Sequence, residues 1–389
     1  MPPRIGDRPA VAHRHRADRT EERAPARRRE ANRGTEKGPA DNDVYAGNAR
    51  GNRGAVEVPV NARGGGGSRV STVDARRLAL EGTSGAAPYE KLARLGNFEG
   101  FIKTAHFGEI YVRIKQGDEP AKHPPVVYLG GIATCAERSS KFEEDIQAKG
   151  GTVITLVLPG QGETLARDIK NNGRAKSLDK DITARMQADA VVETLDAMGV
   201  KGPVHATGLS YGGYIAAACK KAHPERFDQL YLIAPYVMSQ AEFDPRAKAA
   251  RDMMFRNPFN PFSYFMGPAM ERQATRAVLE STFNFTWPVL EGHRREFIDA
   301  LTNLTMGISN DRLRDTVKGM DGVNMLVVPQ DGASPPELGE EAFQASARDG
   351  VFMRAPASDA GHHDLIGANP ALCAEFVAKL MKQRRAEEQ

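Results

Sequence analysis

Cysteine and tryptophan are scarce in this chain, with three and one among 389 residues. Cys135, Cys219 and Cys373 are widely spaced and odd in number. That excludes a disulfide framework and a zinc-ligand spacing, and each reads as a small buried residue. No run approaches the roughly 20 apolar residues that cross a bilayer. The N-terminus lacks the apolar core of a secretory signal, and Glu21, Glu22 and Glu30 interrupt the acid-poor pattern of a transit peptide. A reducing, cytoplasmic setting is therefore expected. There is also no His-Glu-x-x-His, no Walker A run and no Cys/His cluster, so no metal and no cofactor is expected.

Charge is unevenly placed. Residues 1–70 hold 15 Lys+Arg and 9 Asp+Glu, a balance of +6, whereas the remainder holds 38 and 41, a balance of −3. The tail reads as a solvated arm able to make weak contact with an anionic surface. Tyr45 is its only aromatic residue, so it is not expected to read nucleic acid by base stacking. Residues 1–95, with the Gly64–Gly67 run, are expected to be a basic unstructured tail.

From about residue 97 the pattern changes. Phe98–Thr104 and Glu109–Ile114 read as a hairpin. Apolar strand runs follow at Pro125–Leu129, Thr152–Leu158, Val204–Thr207, Gln229–Ile233, Asn324–Val328 and Val351–Arg354. Their continuous apolar character suits strands covered on both faces. Helical spacing separates them, most clearly in Ala184, Ala188, Val191, Leu195 and Met198. Asn369 and Pro370 open a last helix. The expected class is α/β, a doubly wound, mostly parallel sheet. Its core falls in two parts, 96–236 and 319–389. Between them, residues 237–318 are too long for a bare loop and rich in Phe and Met, and read as a mainly helical cap.

The chemical signal is Gly208-Leu-Ser210-Tyr-Gly212, set between a strand run and a helical run. So tight a turn forces strain on Ser210, and glycines on both sides leave room because they carry no Cβ. Its hydroxyl then stands at the carboxyl edge of the sheet, above a helix N-terminus that favours negative charge.

With its neighbours, this segment resembles the α/β-hydrolase superfamily. Three further pieces match in order: Val126-Val-Tyr-Leu-Gly130-Gly131-Ile132, then Leu158-Pro-Gly160-Gln-Gly162, then Gly361-His362-His363 before Pro370. The resemblance implies an oxyanion hole from the backbone N–H of Gly131 or Ile132 together with that of Tyr211. It implies Ser210 as nucleophile and His362 as general base, with His363 the competitor. Asp331, after the penultimate strand run, would be the acid, with Asp244 or Glu242 as alternatives. The Pro-Gly-x-Gly turn would shape the pocket wall. The implied reaction is ester cleavage through an acyl-enzyme, of esterase or lysophospholipase type. Its partner would be a small acyl substrate with an apolar group facing the cap. Two other readings stay open. Ser210-Tyr-Gly-Gly-Tyr214 is similar to the elbow of serine peptidases, which implies amide cleavage. A hydrolase fold can also serve as a non-catalytic binding module.

Overall fold

The computed structural model describes residues 71–73, 88–175, 179–239, 261–283, 285–308, 312–361 and 363–387. Its strands are β1 (Ser71–Val73), β2 (Phe98–Lys103), β3 (Glu109–Lys115), β4 (Val126–Leu129), β5 (Val153–Val157), β6 (Val204–Leu209), β7 (Phe227–Ile233), β8 (Val323–Val327) and β9 (Phe352–Arg354). They form one nine-stranded sheet in the order β1-β2-β3-β5-β4-β6-β7-β8-β9. The pairs β2–β3 and β3–β5 are antiparallel, and every other neighbouring pair is parallel. The expected hairpin and six later strands are all present, with ends moved by one or two residues.

The continuous apolar runs are explained by burial on both faces. Val127 and Leu129 join one core cluster while Val126 and Tyr128 join the other. Leu230 and Leu232 alternate with Tyr231 and Ile233 in the same way. Helices Ala184–Ala197 and Tyr211–Ala222 cover the first face. Helices Ser140–Ala148 and Pro370–Glu387 cover the second. Thr183 caps the helix that follows it, accepting from the Met186 N–H at 3.2 Å. Asn369 does the same for the last helix, accepting from Leu372 at 3.2 Å.

Two elements lie within the segment 1–95. β1 pairs with β2, and the helix Glu90–Leu95 packs through Tyr89 and Leu92, both buried in the first cluster. One deeply placed Leu and one anchored Tyr hold so short a helix, which no periodic pattern announces. Residues 1–70 and 74–87 lie outside the described residues.

Between β7 and β8 the structure contains helices Pro261–Thr282, Arg294–Met306 and Leu313–Val317, in keeping with a mainly helical insertion. Phe283, Leu290, Phe297, Leu301 and Leu304 are buried in the same cluster as the sheet's first face. These side chains serve as core. Phe255, Phe259, Asp244 and Glu242 lie outside the described residues.

Candidate active site

The chain leaves β4 to build β5 on one side and β6 on the other. The chain after β4 and the chain after β6 therefore run to helices on opposite faces, which is where open sheets of this kind place a ligand crevice. Leu129 and Gly208 are paired across them. Ser210 and Gly131, a few residues on, consequently face each other: a Cβ built on Gly131 would lie 3.7 Å from the Ser210 Cβ.

The turn carrying Ser210 is as tight as the glycine spacing requires. Ser210 has φ 53° and ψ −118°, a conformation a non-glycine residue rarely holds. A Cβ on Gly208 would fall 2.3 Å from the Gly212 backbone, and one on Gly212 would fall 2.1 Å from the Leu129 carbonyl oxygen. Hydrogen bonds fix the strained residue. Its N–H donates to Ile233 at 3.1 Å. Its carbonyl accepts from Gly213, Tyr214 and Tyr236 at 3.0, 3.2 and 2.8 Å.

The Ser210 hydroxyl lies 2.7 Å from Nε2 of His363. Nδ1 of the same ring lies 2.7 Å from Oδ2 of Asp331. An ionised carboxylate only accepts, so Nδ1 carries the proton and Nε2 is left as an acceptor for the Ser210 O–H. Oδ1 of Asp331 accepts from the backbone of Ala333 at 2.9 Å and Ser334 at 3.0 Å, so both carboxylate oxygens are engaged. All three side chains are buried, at 6, 3 and 7% exposure for Ser210, Asp331 and His363. A dry chain of this kind strengthens each of its hydrogen bonds.

The imidazole brought to Ser210 is thus that of His363, whereas the Gly-His spacing put His362 first. The correction has a local cause. Gly361, at φ 76°, turns the loop, and its N–H is held by Pro329 at 2.8 Å. Its carbonyl accepts from the His363 N–H at 3.1 Å, which fixes the backbone at His363. His362 itself lies outside the described residues. Asp331, named from its place after the penultimate strand, is the carboxylate that meets this ring.

The loop after β4 is held from behind. The buried pair Arg113–Glu143 meets at 2.7 Å, and Arg113 also donates to the Ala136 carbonyl. Glu163 accepts from the Ala136 N–H at 3.1 Å, and its burial raises its pKa. Gly162 of the Pro-Gly-x-Gly turn packs against Thr134 and Cys135, where a Cβ would sit 3.0 Å away. That turn therefore supports this loop. Tyr211 is the first residue of its helix, so its N–H has no acceptor within the helix.

Sequence reading missed two contacts. Trp287 Nε1 donates to the Ala133 carbonyl at 2.5 Å. Arg138 holds Asp364, the residue after His363, with Nε 2.6 Å from Oδ2. Each joins segments more than 150 residues apart, and no motif spans such a gap. Among the described residues no group of His, Cys, Asp and Glu is arranged to hold a metal ion. No helix among them is long and apolar enough to cross a membrane. The three thiols are free and buried. Burial pushes Cys135 up to about 12 and raises the other two as well. None is an available nucleophile near neutral pH.

Residues 141–376 match the model of a family described as "Alpha/beta hydrolase family". No curated protein matches the chain. Among solved structures, a thermophilic esterase from Thermogutta terrifontis is similar at 22% identity and a TM-score of 0.50, over 73% of this chain and 98% of that one. The enol-lactonase from Burkholderia xenovorans LB400 is similar at 18% identity and a TM-score of 0.51, over 72% and 99%. At these identities the likeness is one of fold.

Proposed function

The chain belongs to the alpha/beta hydrolase family, and from that premise we propose that it is a serine hydrolase cleaving carboxylic esters. The observation that carries this reading is the unbroken run Asp331–His363–Ser210, with both links at 2.7 Å. Ser210 Oγ attacks the acyl carbon while His363 Nε2 takes its proton. Asp331 keeps the ring in the required tautomer and stabilises the imidazolium. Tyr211 N–H, with Gly131 or Ile132 N–H, receives the oxyanion, each donor contributing on the order of 3 kcal/mol. His363 then protonates the departing alkoxide, and the carbon–oxygen bond of the ester breaks. Water, deprotonated by His363, releases the acid from the acyl-enzyme.

Ester rather than amide is proposed because an esterase and an enol-lactonase share the fold. The substrate would be a small acyl compound with an apolar group, acting in the cytoplasm. The basic segment 1–70 would add only weak contact with anionic surfaces. A binding module has no need to hold strain at Ser210 or to satisfy both oxygens of a buried carboxylate, so these features support catalysis. The test is turnover of p-nitrophenyl esters of graded length by wild type and Ser210→Ala. Hydrolysis of at least one ester, lost in the variant, is expected. Equal rates for the two proteins would end the serine reading.

A further inference from the structure

The segment Gly130–Cys135 bears one half of the proposed oxyanion hole, and it is under strain. Ala133 has φ 62° without being glycine. It is buried, so its carbonyl needs a partner from the protein. Within the loop, Thr134 Oγ1 donates to the Gly131 carbonyl at 2.9 Å. The Ala133 carbonyl instead accepts from Trp287 Nε1 at 2.5 Å, across 154 residues. Trp287 belongs to the insertion between β7 and β8 and is the only tryptophan of the chain. Phe285 meets its ring edge-on, with centroids 5.6 Å apart, so the indole plane is set by packing.

We propose that Trp287 is a positioning residue through which the cap sets the oxyanion loop. The inference rests on the serine-hydrolase reading above. A left-handed alanine persists only where its surroundings over-determine it. Removing the indole N–H leaves a buried carbonyl unpaired, and rotation of the strained peptide relieves both faults at once. Gly131 and Ile132 lie just before that peptide, so its rotation would shift their N–H groups relative to Ser210. Binding of the ground-state substrate would be little affected, because the loss falls on the developing oxyanion. Movement of the cap during substrate entry would act on the same bond.

The experiment uses the full chain and an ester that wild type hydrolyses. Trp287→Phe keeps a ring but no donor. It should lower kcat by about tenfold or more while KM stays within about threefold. Ala133→Gly, introduced into Trp287→Phe, should recover a large part of kcat, since glycine holds a positive φ without cost. A mere packing role predicts no such rescue. In the wild type, emission from the single tryptophan should shift when a fluorophosphonate bonds to Ser210 Oγ with loss of fluoride. That measurement stands even where Trp287→Phe does not fold. A kcat for Trp287→Phe within about twofold of wild type, or an emission unchanged by labelling, overturns the proposal. If Ser210→Ala remains active, the serine reading fails and this inference goes with it. If only the Trp287 results fail, the serine reading stands.

Discussion

Arg138 holds Asp364 by its guanidinium, with Nε 2.6 Å and Nη2 2.5 Å from Oδ2. The two residues are 226 positions apart, yet one follows the loop after β4 and the other follows His363 directly. Asp364 Oδ1 also caps the short helix Leu365–Ala368, accepting from the Gly367 N–H at 3.0 Å. The segment that follows His363 and the loop after β4 are thereby tied to each other.

Arg138→Ala should loosen the His363 loop without touching the reacting atoms. Both partners are about one-third exposed, so solvent screens the pair and the stability change should stay below about 1 kcal/mol. The effect is expected in kcat, down by about tenfold, with Arg138→Lys regaining part of it. Steady-state kinetics beside a thermal melt would separate the two. A melt shift of several degrees with kcat untouched would assign Arg138 to stability alone.

Asp331→Asn tests the orientation of the imidazole. The amide presents a donor where the carboxylate only accepted, so the ring is held in the wrong tautomer for taking a proton from Ser210. A kcat loss of about 10³–10⁴-fold is expected, with KM little changed. Burst and steady-state rates on a p-nitrophenyl ester would measure it. A loss below about tenfold would mean that another carboxylate serves His363.

His205 supplies a pH dependence of stability away from the site. Burial, helped by the charges of Arg385, Arg384 and Lys220, lowers its pKa to about 4, against the opposing pull of Asp228. In the unfolded chain it titrates near 6.5. Between these values the unfolded state binds a proton that the folded state refuses. Stability from this group is therefore intact above about pH 6.5 and falls as pH drops toward 4, by about 2–3 kcal/mol in all. Urea unfolding of wild type and His205→Asn at pH 7.5 and pH 4.5 would reveal it. The variant should show a smaller difference between the two pH values, and equal differences would refute the assignment.

Two glycines, one in the helix after Ser210 and one in the loop after β8, should behave in opposite ways. A Cβ on Gly212 meets the backbone oxygens of Leu129 and Gly130 at 2.1 and 2.5 Å, so β4 and the helix after Ser210 must part. Gly212→Ala should cost about 3 kcal/mol and abolish hydrolysis. A Cβ on Gly332 meets nothing within 4 Å, and Gly332→Ala should stay within about 0.5 kcal/mol of wild type. Denaturant melts of the two variants would rank them.

Much of this architecture is legible in residue type. Val126–Leu129 and Leu230–Ile233 alternate between two cores, so uninterrupted apolar runs announce strands covered on both sides. Gly208 and Gly212 reveal the turn at Ser210 because steric exclusion leaves no other residue there. Asp331 is found by its place after a strand. What stayed hidden depends on local direction or on distance. His362 and His363 are chemically identical neighbours. The turn of Gly361 and one backbone hydrogen bond decide which ring faces Ser210, and neither is written in residue type. β1 spans three residues in polar surroundings, below the length at which alternation carries a signal. Arg138–Asp364 and Trp287–Ala133 are tertiary contacts that only the folded chain creates.

The most direct test is fluorophosphonate labelling, read by peptide mass spectrometry, of wild type, Ser210→Ala, His362→Ala and His363→Ala. An adduct on Ser210 is expected in wild type and in His362→Ala. None is expected in Ser210→Ala, and a rate reduced by at least about 10³-fold in His363→Ala. Rapid labelling of His363→Ala together with loss of labelling in His362→Ala would contradict the assignment of His363 as the base for Ser210.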